Sequence, residues 1–296
     1  MENHTGRKGF TRHFVEMSDE AFLYVQYYRS ESPEASPSDA FVMIPGFCCT
    51  SASFDKNAPV LAETADVIVY DPRGQGSSSK GLQGHTVSRN AQDLKEILAY
   101  FGKTRAVVIA WSMAGQFIMD YVRQFGCEDL AGIVLADCPL HALGNEEWNA
   151  HGLRDGNMGH FLAHLGRSYN EWEDYCRGFA RKIWEGIDDS RIEWATGEFL
   201  KTPPWIAFAI YSDMVYRNGF PYLAKAEVPM LFTGADSKVT ENGRALAGSW
   251  YPESRPAPLI SESCLFEHGG HVFFDVESEK FNRAVAEFYR GLVGSD

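Results

Sequence analysis

The sequence contains no apolar run long enough to span a bilayer, so no transmembrane helix is expected. Its first residues, Met1 to Glu20, are polar and charged and lack the apolar core of a secretory signal. Positive charge is scarce. There are 27 Lys and Arg against 40 Asp and Glu, and the net charge of −13 supplies no basic face for nucleic acid or an anionic membrane. The same balance favours solubility and gives no reason to expect an anionic substrate. The six cysteines, Cys48, Cys49, Cys127, Cys138, Cys176 and Cys264, show neither a C-x-x-C pair nor the spacing of a metal site. These shortages predict a cytoplasmic protein with reduced thiols and no metal, partnered by neither nucleic acid nor membrane.

A length of 296 residues with 45% hydrophobic content suits one large α/β domain, or one domain carrying an insertion. Near-alternating patterns predict extended segments over Gly9 to Glu16 and Ala21 to Tyr28. A Ser-, Pro- and Glu-rich linker, Ser30 to Asp39, precedes buried strands at Ala40 to Ile44 and Val67 to Tyr70. A helical pattern covers Thr86 to Phe101, with Leu94, Ile97, Leu98 and Phe101 on one face. A strand from Val107, an apolar-faced helix through Phe117, Ile118, Tyr121 and Val122, and a strand at Ile133 to Ala136 follow. The alternation then stops from about Leu140 to Lys225, a helical stretch that holds five of the seven tryptophans. It resumes with a strand at Met230 to Thr233, a helix over Asn242 to Ser249, a strand near Leu259 to Cys264 and a last helix from Ser278 to Leu292. Such alternation predicts a mostly parallel sheet covered on both faces. The interruption reads as a helical lid, residues 140–225, inserted after the sixth strand of a core formed by 1–139 and 226–296.

One segment carries chemistry. In Val107-Val108-Ile109-Ala110-Trp111-Ser112-Met113-Ala114-Gly115 a β-branched run stops at a serine between small residues, and a helical pattern follows. That is the layout of a nucleophile elbow, a tight strand-to-helix turn that lifts a serine hydroxyl above a sheet. The turn crowds the backbone, so the flanking positions must be small, and here they are Ala110 and Ala114.

Four motifs in order resemble the α/β-hydrolase fold family, in the branch of cofactor-free serine esterases, lactonases and haloperoxidase-like enzymes. Ile44-Pro45-Gly46-Phe47 resembles the oxyanion segment, with Pro45 in place of its histidine. Asp71-Pro72-Arg73-Gly74-Gln75-Gly76-Ser77 resembles the D-x-R-G-x-G-x-S loop. The elbow comes next. Gly270-His271, followed by Glu279-Lys280-Phe281-Asn282, resembles the closing motif. The resemblance covers nearly all of the chain outside the lid. It implies an eight-stranded, mostly parallel sheet with helices on both faces, and it implies no cofactor.

Within that frame Ser112 is the expected nucleophile, which needs a base within hydrogen-bond reach. His271 is the expected base, because it alone aligns with the Gly-His motif; His268 is its rival. The acid that orients the histidine has two candidates. Asp137 ends the sixth strand, where some members of the family carry their acid. Asp236 follows the seventh strand but stands one residue short of the usual place. The oxyanion hole is expected from the backbone amides of Phe47 and Met113. Arg73 reads as a charge that ties its own loop down, and Cys48 and Cys49 as packing beside the oxyanion loop. Among the lid aromatics, Trp148, Trp184, Trp205, Tyr211 and Tyr216 are candidates to face the substrate, with the larger part of them expected in the lid's own core.

The resulting expectation is a monomeric or homodimeric serine hydrolase. It would cleave an ester or lactone of a mid-sized hydrophobic small molecule through an acyl-enzyme. A carbon–carbon bond hydrolase acting on a diketone or ring-fission product would use the same three groups. A ligand receptor that keeps the triad with little turnover is a reading of a different class.

Overall fold

The structure, a computed structural model, describes residues 9–141, 166, 169–184, 187–223, 225–235 and 262–293. Eight strands form one sheet: β1 (Thr11–Glu16), β2 (Phe22–Tyr28), β3 (Asp39–Ile44), β4 (Asp66–Tyr70), β5 (Arg105–Trp111), β6 (Leu130–Ala136), β7 (Met230–Gly234) and β8 (Glu262–Leu265). Their order across the sheet is β1-β2-β4-β3-β5-β6-β7-β8. β2 is antiparallel to both β1 and β4, and every pair from β4 across to β8 is parallel. The burial pattern explains the arrangement. β3 is buried at every position and β5 at all but its first, as continuous apolar runs require when helices cover both faces. β1, at the edge, buries one residue of six.

The helices are α1 (Ala58–Leu61), α2 (Val87–Tyr100), α3 (Ala114–Phe125), α4 (Trp172–Ile183), α5 (Asp189–Phe199), α6 (Pro204–Val215), α7 (Phe220–Leu223), α8 (Phe273–Val276) and α9 (Ser278–Val293). α2 starts where Thr86 accepts a hydrogen bond from the Arg89 amide, a side-chain N-cap, and it buries Val87, Ala91, Leu94 and Leu98 along one stripe. α2 packs against α3, and α1 against α9; with the right-handed crossovers usual for parallel strands, the strand order puts the first pair on one face of the sheet and the second on the other. α4 to α7 lie between β6 and β7. The helix expected over Asn242 to Ser249 and the start of the strand expected from Leu259 fall outside the described residues. Among the described residues no helix is long and apolar enough to cross a membrane.

The chain leaves β3 toward β4 on one side and later enters β5 on the other. The carboxyl ends of β3 and β5 therefore flank the point where the strand order reverses, which is where open α/β sheets leave a crevice. Among the described residues, three of the four non-glycine residues with positive φ lie just past strand ends at this edge: Cys48 (58°), Ser112 (56°) and Asp137 (48°). Each such conformation costs about 1–3 kcal/mol, so the surrounding contacts must hold it in place.

Candidate active site

Ser112 sits on the turn from β5 to α3, with its backbone N–H donated to the Ala136 carbonyl at 3.0 Å. The crowding expected around an elbow is found at two glycines. A Cβ on Gly46 would lie 2.9 Å from the Ser112 Cβ, and one on Gly115 would lie 2.5 Å from the Cys138 Cβ. Glycine is thus required in the facing loop and three residues after the serine, while alanine suffices at positions 110 and 114.

His271 reaches the same edge from the far end of the chain. Its loop turns through Gly269 (φ +90°) and Gly270 (φ +49°). Trp111, the fully buried last residue of β5, donates its indole N–H to the His271 carbonyl at 2.9 Å. The residue next to the serine therefore anchors the histidine loop. Asp137 leaves β6 with its amide bonded to the Thr233 carbonyl at 2.9 Å, and its Oδ2 lies 2.6 Å from the His271 Nδ1. A carboxylate only accepts, so in a neutral imidazole this contact places the ring proton on Nδ1 and the lone pair on Nε2. The short distance is that of a charge-assisted hydrogen bond in a nearly buried setting, with the Asp137 side chain 9% exposed.

Ser112, His271 and Asp137 open into one cavity of about 700 Å³. Phe47, Met113, Pro139, Ala235 and Gly270 also line it from the sheet side. Asp174, Tyr175, Gly178, Phe179, Lys182 and Ile183 line it from α4, and Tyr211 and Met214 from α6. The wall is largely apolar, with Asp174 and Lys182 exposed on it. Burial pushes the phenols of Tyr175 and Tyr211 up, so both face the cavity as neutral groups. Phe47 and Met113 both line the cavity, and among the described residues the amide of neither donates a turn or loop hydrogen bond. Among the described residues no cluster of three or more His, Cys, Asp or Glu is arranged to hold a metal.

Of the five aromatics singled out in the sequence, Tyr211 lines this cavity. Trp184 lies behind the cavity wall, fully buried, with its ring 6.2 Å from Trp111 and its N–H on Asp275. Trp205 packs 5.6 Å from His85, away from the serine. Tyr216 is 66% exposed and borders a separate small depression. Trp148 and the alternative acid Asp236 lie outside the described residues. The aromatic wall comes instead from Tyr175 and Phe179, which were not singled out. Their signal was a spacing of four, Tyr175-Phe179-Ile183, that turns one face of α4 toward the site. His268 is exposed, and its amide is bonded to Glu277. Arg73 is buried between Asp93 and Asp19, each gripped in bidentate fashion, and does not reach the cavity. All six cysteines are free thiols.

A family model for the alpha/beta hydrolase fold matches residues 39–278. Among solved structures, a bromoperoxidase from Bacillus anthracis superposes with a TM-score of 0.78 at 19% identity, over 95% of this chain and all of the other. An esterase from Exiguobacterium antarcticum gives 0.80 at 18% identity, again over 95% of this chain and all of the other. At such identities these likenesses bear on the fold alone. A relative from Synechocystis sp., named as a non-heme chloroperoxidase, is 27% identical over 123 residues, 41% of this chain, and the match spans less than half of that relative, 44% of its length.

Proposed function

Since the chain belongs to the alpha/beta hydrolase family, we propose that it is a serine hydrolase that cleaves an ester or lactone of a mid-sized hydrophobic compound. The observation that carries this reading is the 2.6 Å contact from Asp137 to His271 Nδ1, in the same cavity as a serine held at positive φ. A fold hosts many chemistries, so the argument rests on these groups and not on the sheet.

In this reading Ser112 Oγ attacks the substrate carbonyl while His271 Nε2 takes the hydroxyl proton. Asp137 keeps the imidazole in the productive tautomer and stabilises the imidazolium that forms. The oxyanion accepts hydrogen bonds from the amides of Phe47 and Met113, whose donors are set before the charge develops. Collapse of the tetrahedral intermediate breaks the bond to the leaving alkoxide, which takes the proton from His271. Water, deprotonated by the same imidazole, then releases the acid and restores Ser112. Phe47, Tyr175, Phe179, Ile183, Tyr211 and Met214 give the cavity the apolar wall that favours a hydrophobic acyl or aryl group.

The test pairs a fluorophosphonate probe with a panel of p-nitrophenyl esters and lactones. The wild type should become labelled at Ser112 and turn over at least one hydrophobic ester, and Ser112→Ala should do neither. Labelling at full rate without turnover of any ester or lactone would count against an esterase and favour a binding protein.

A further inference from the structure

Gln75 stands at an x position of the D-x-R-G-x-G-x-S motif, yet its side chain is buried and fully hydrogen-bonded. It is 1% exposed. Its Nε2 donates to the Gly46 carbonyl at 3.1 Å and to the Cys49 carbonyl at 3.1 Å, and its Oε1 accepts from the Cys48 amide at 2.6 Å. Both donor hydrogens and the acceptor are therefore spent on one four-residue loop. That loop is under strain, with Cys48 at φ 58° and no glycine there to relieve it.

The geometry of the peptide bond turns these contacts into a statement about chemistry. A trans peptide is planar, and its C=O and N–H point in opposite directions. The unit that carries the Gly46 carbonyl is the unit that carries the Phe47 N–H. Pinning that carbonyl toward Gln75 aims the Phe47 N–H away from Gln75. The next unit joins the Phe47 carbonyl to the Cys48 N–H, and its N–H is held by the same side chain. Gln75 thus holds the peptide planes on both sides of the Phe47 Cα, sharing the Gly46 carbonyl with the Cys49 amide, which donates to it at 3.1 Å. The loop runs close to the serine, since a Cβ on Gly46 would lie 2.9 Å from the Ser112 Cβ.

We propose that Gln75 is a positioning residue for the oxyanion hole, fixing the direction of the Phe47 amide; this deepens the serine-hydrolase reading and rests on it. Glutamine suits the task because one planar group supplies two donors and an acceptor at the right reach. Glutamate keeps the length but sets a carboxylate oxygen against two carbonyl oxygens. Methionine keeps the volume and loses all three bonds.

The experiment compares wild type with Gln75→Met and Gln75→Glu. Each variant should lower kcat about 10- to 100-fold, the scale expected when an oxyanion donor is misaimed and not deleted, while KM stays within about threefold. An arylboronic acid, which forms a tetrahedral anion on the serine, should lose affinity by the same factor as kcat/KM, since both report transition-state binding. A non-covalent ether analogue of the substrate should bind as before. A purely structural role would lower Tm while leaving kcat per active enzyme and the boronate constant unchanged, and that result overturns the proposal. Hydrogen exchange supplies a readout that needs no substrate. The Cys48 amide should exchange slowly in the wild type and faster in both variants. Rapid exchange of that amide in the wild type would overturn the proposal even if neither variant folds. Loss of the serine reading would show separately, as turnover or labelling that survives Ser112→Ala.

Discussion

The carboxyl edge of the sheet and the helices between β6 and β7 line the same cavity, but they present their groups in different ways. At the sheet edge, position is set by backbone. Cys48, Ser112 and Asp137 adopt positive φ, and the amides of Cys48, Ser112 and Asp137 bond to Gln75, Ala136 and Thr233 respectively. On the helices, position is set by which face of α4 and α6 turns inward, and the groups are side chains such as Tyr175, Phe179, Tyr211 and Met214. Under the proposed function, the sheet edge would fix atoms where charge develops and the helices would fix a shape, so the same chemistry could be kept on the edge while the helical face changes what fits.

If that division holds, damage at the edge lowers the rate for every substrate, and damage on the helices changes the ranking of substrates. The largest effect is expected for Asp137→Asn, which should leave the fold intact and, in the proposed mechanism, removes the partner that sets the His271 tautomer. kcat should fall on the order of 10⁴-fold across a panel of esters, with KM little changed. A loss confined to some esters would break the comparison. Next is Arg73→Met, near the edge but turned away from the cavity. It strips a bidentate partner from the fully buried Asp93, whose carboxyl is pushed up by burial and pulled back by Arg73 and Arg89. Breaking a buried pair on one side costs about 3–5 kcal/mol, so chemical denaturation should show a lower midpoint while the folded fraction keeps its kcat. Phe179→Ala should act on selectivity. Opening the wall is expected to shift the kcat/KM ratio between a bulky and a short acyl ester by about 10-fold or more, the scale of a hydrophobic pocket contact. An equal loss for both esters would place Phe179 with the edge groups. The smallest effect is expected for Tyr216→Ala. It is exposed and faces away from the cavity, so neither selectivity nor Tm should move measurably.

The same division explains what the sequence revealed. The strands of the parallel sheet are continuous apolar runs with turn residues at their ends, and those from Asp39 to Ala136 appear at their expected places to within a few residues. Ser112 could be singled out because a sharp turn demands small neighbours, which is a local constraint, and the structure places it on such a turn. His271 could be singled out because Gly270-His271 and the downstream Phe281-Asn282 resemble the family's closing motif, and the structure brings it to the cavity that Ser112 lines. The helical wall was not legible in the same way. Trp184 and Trp205 are as apolar as the residues that face the cavity, and only tertiary packing decides that one rests on Trp111 and the other on His85. Gln75 was hidden for a different reason. Its partners are backbone groups 26 to 29 residues away, and backbone atoms leave no residue-type signature.

The crystal structure of an arylboronic acid adduct tests the central claim most directly. Boron should be bonded to Ser112 Oγ, with one boronate oxygen about 2.7–3.1 Å from the amides of both Phe47 and Met113, and with His271 still bonded to Asp137. Boron on another residue, or an oxygen that reaches neither amide, would contradict the account.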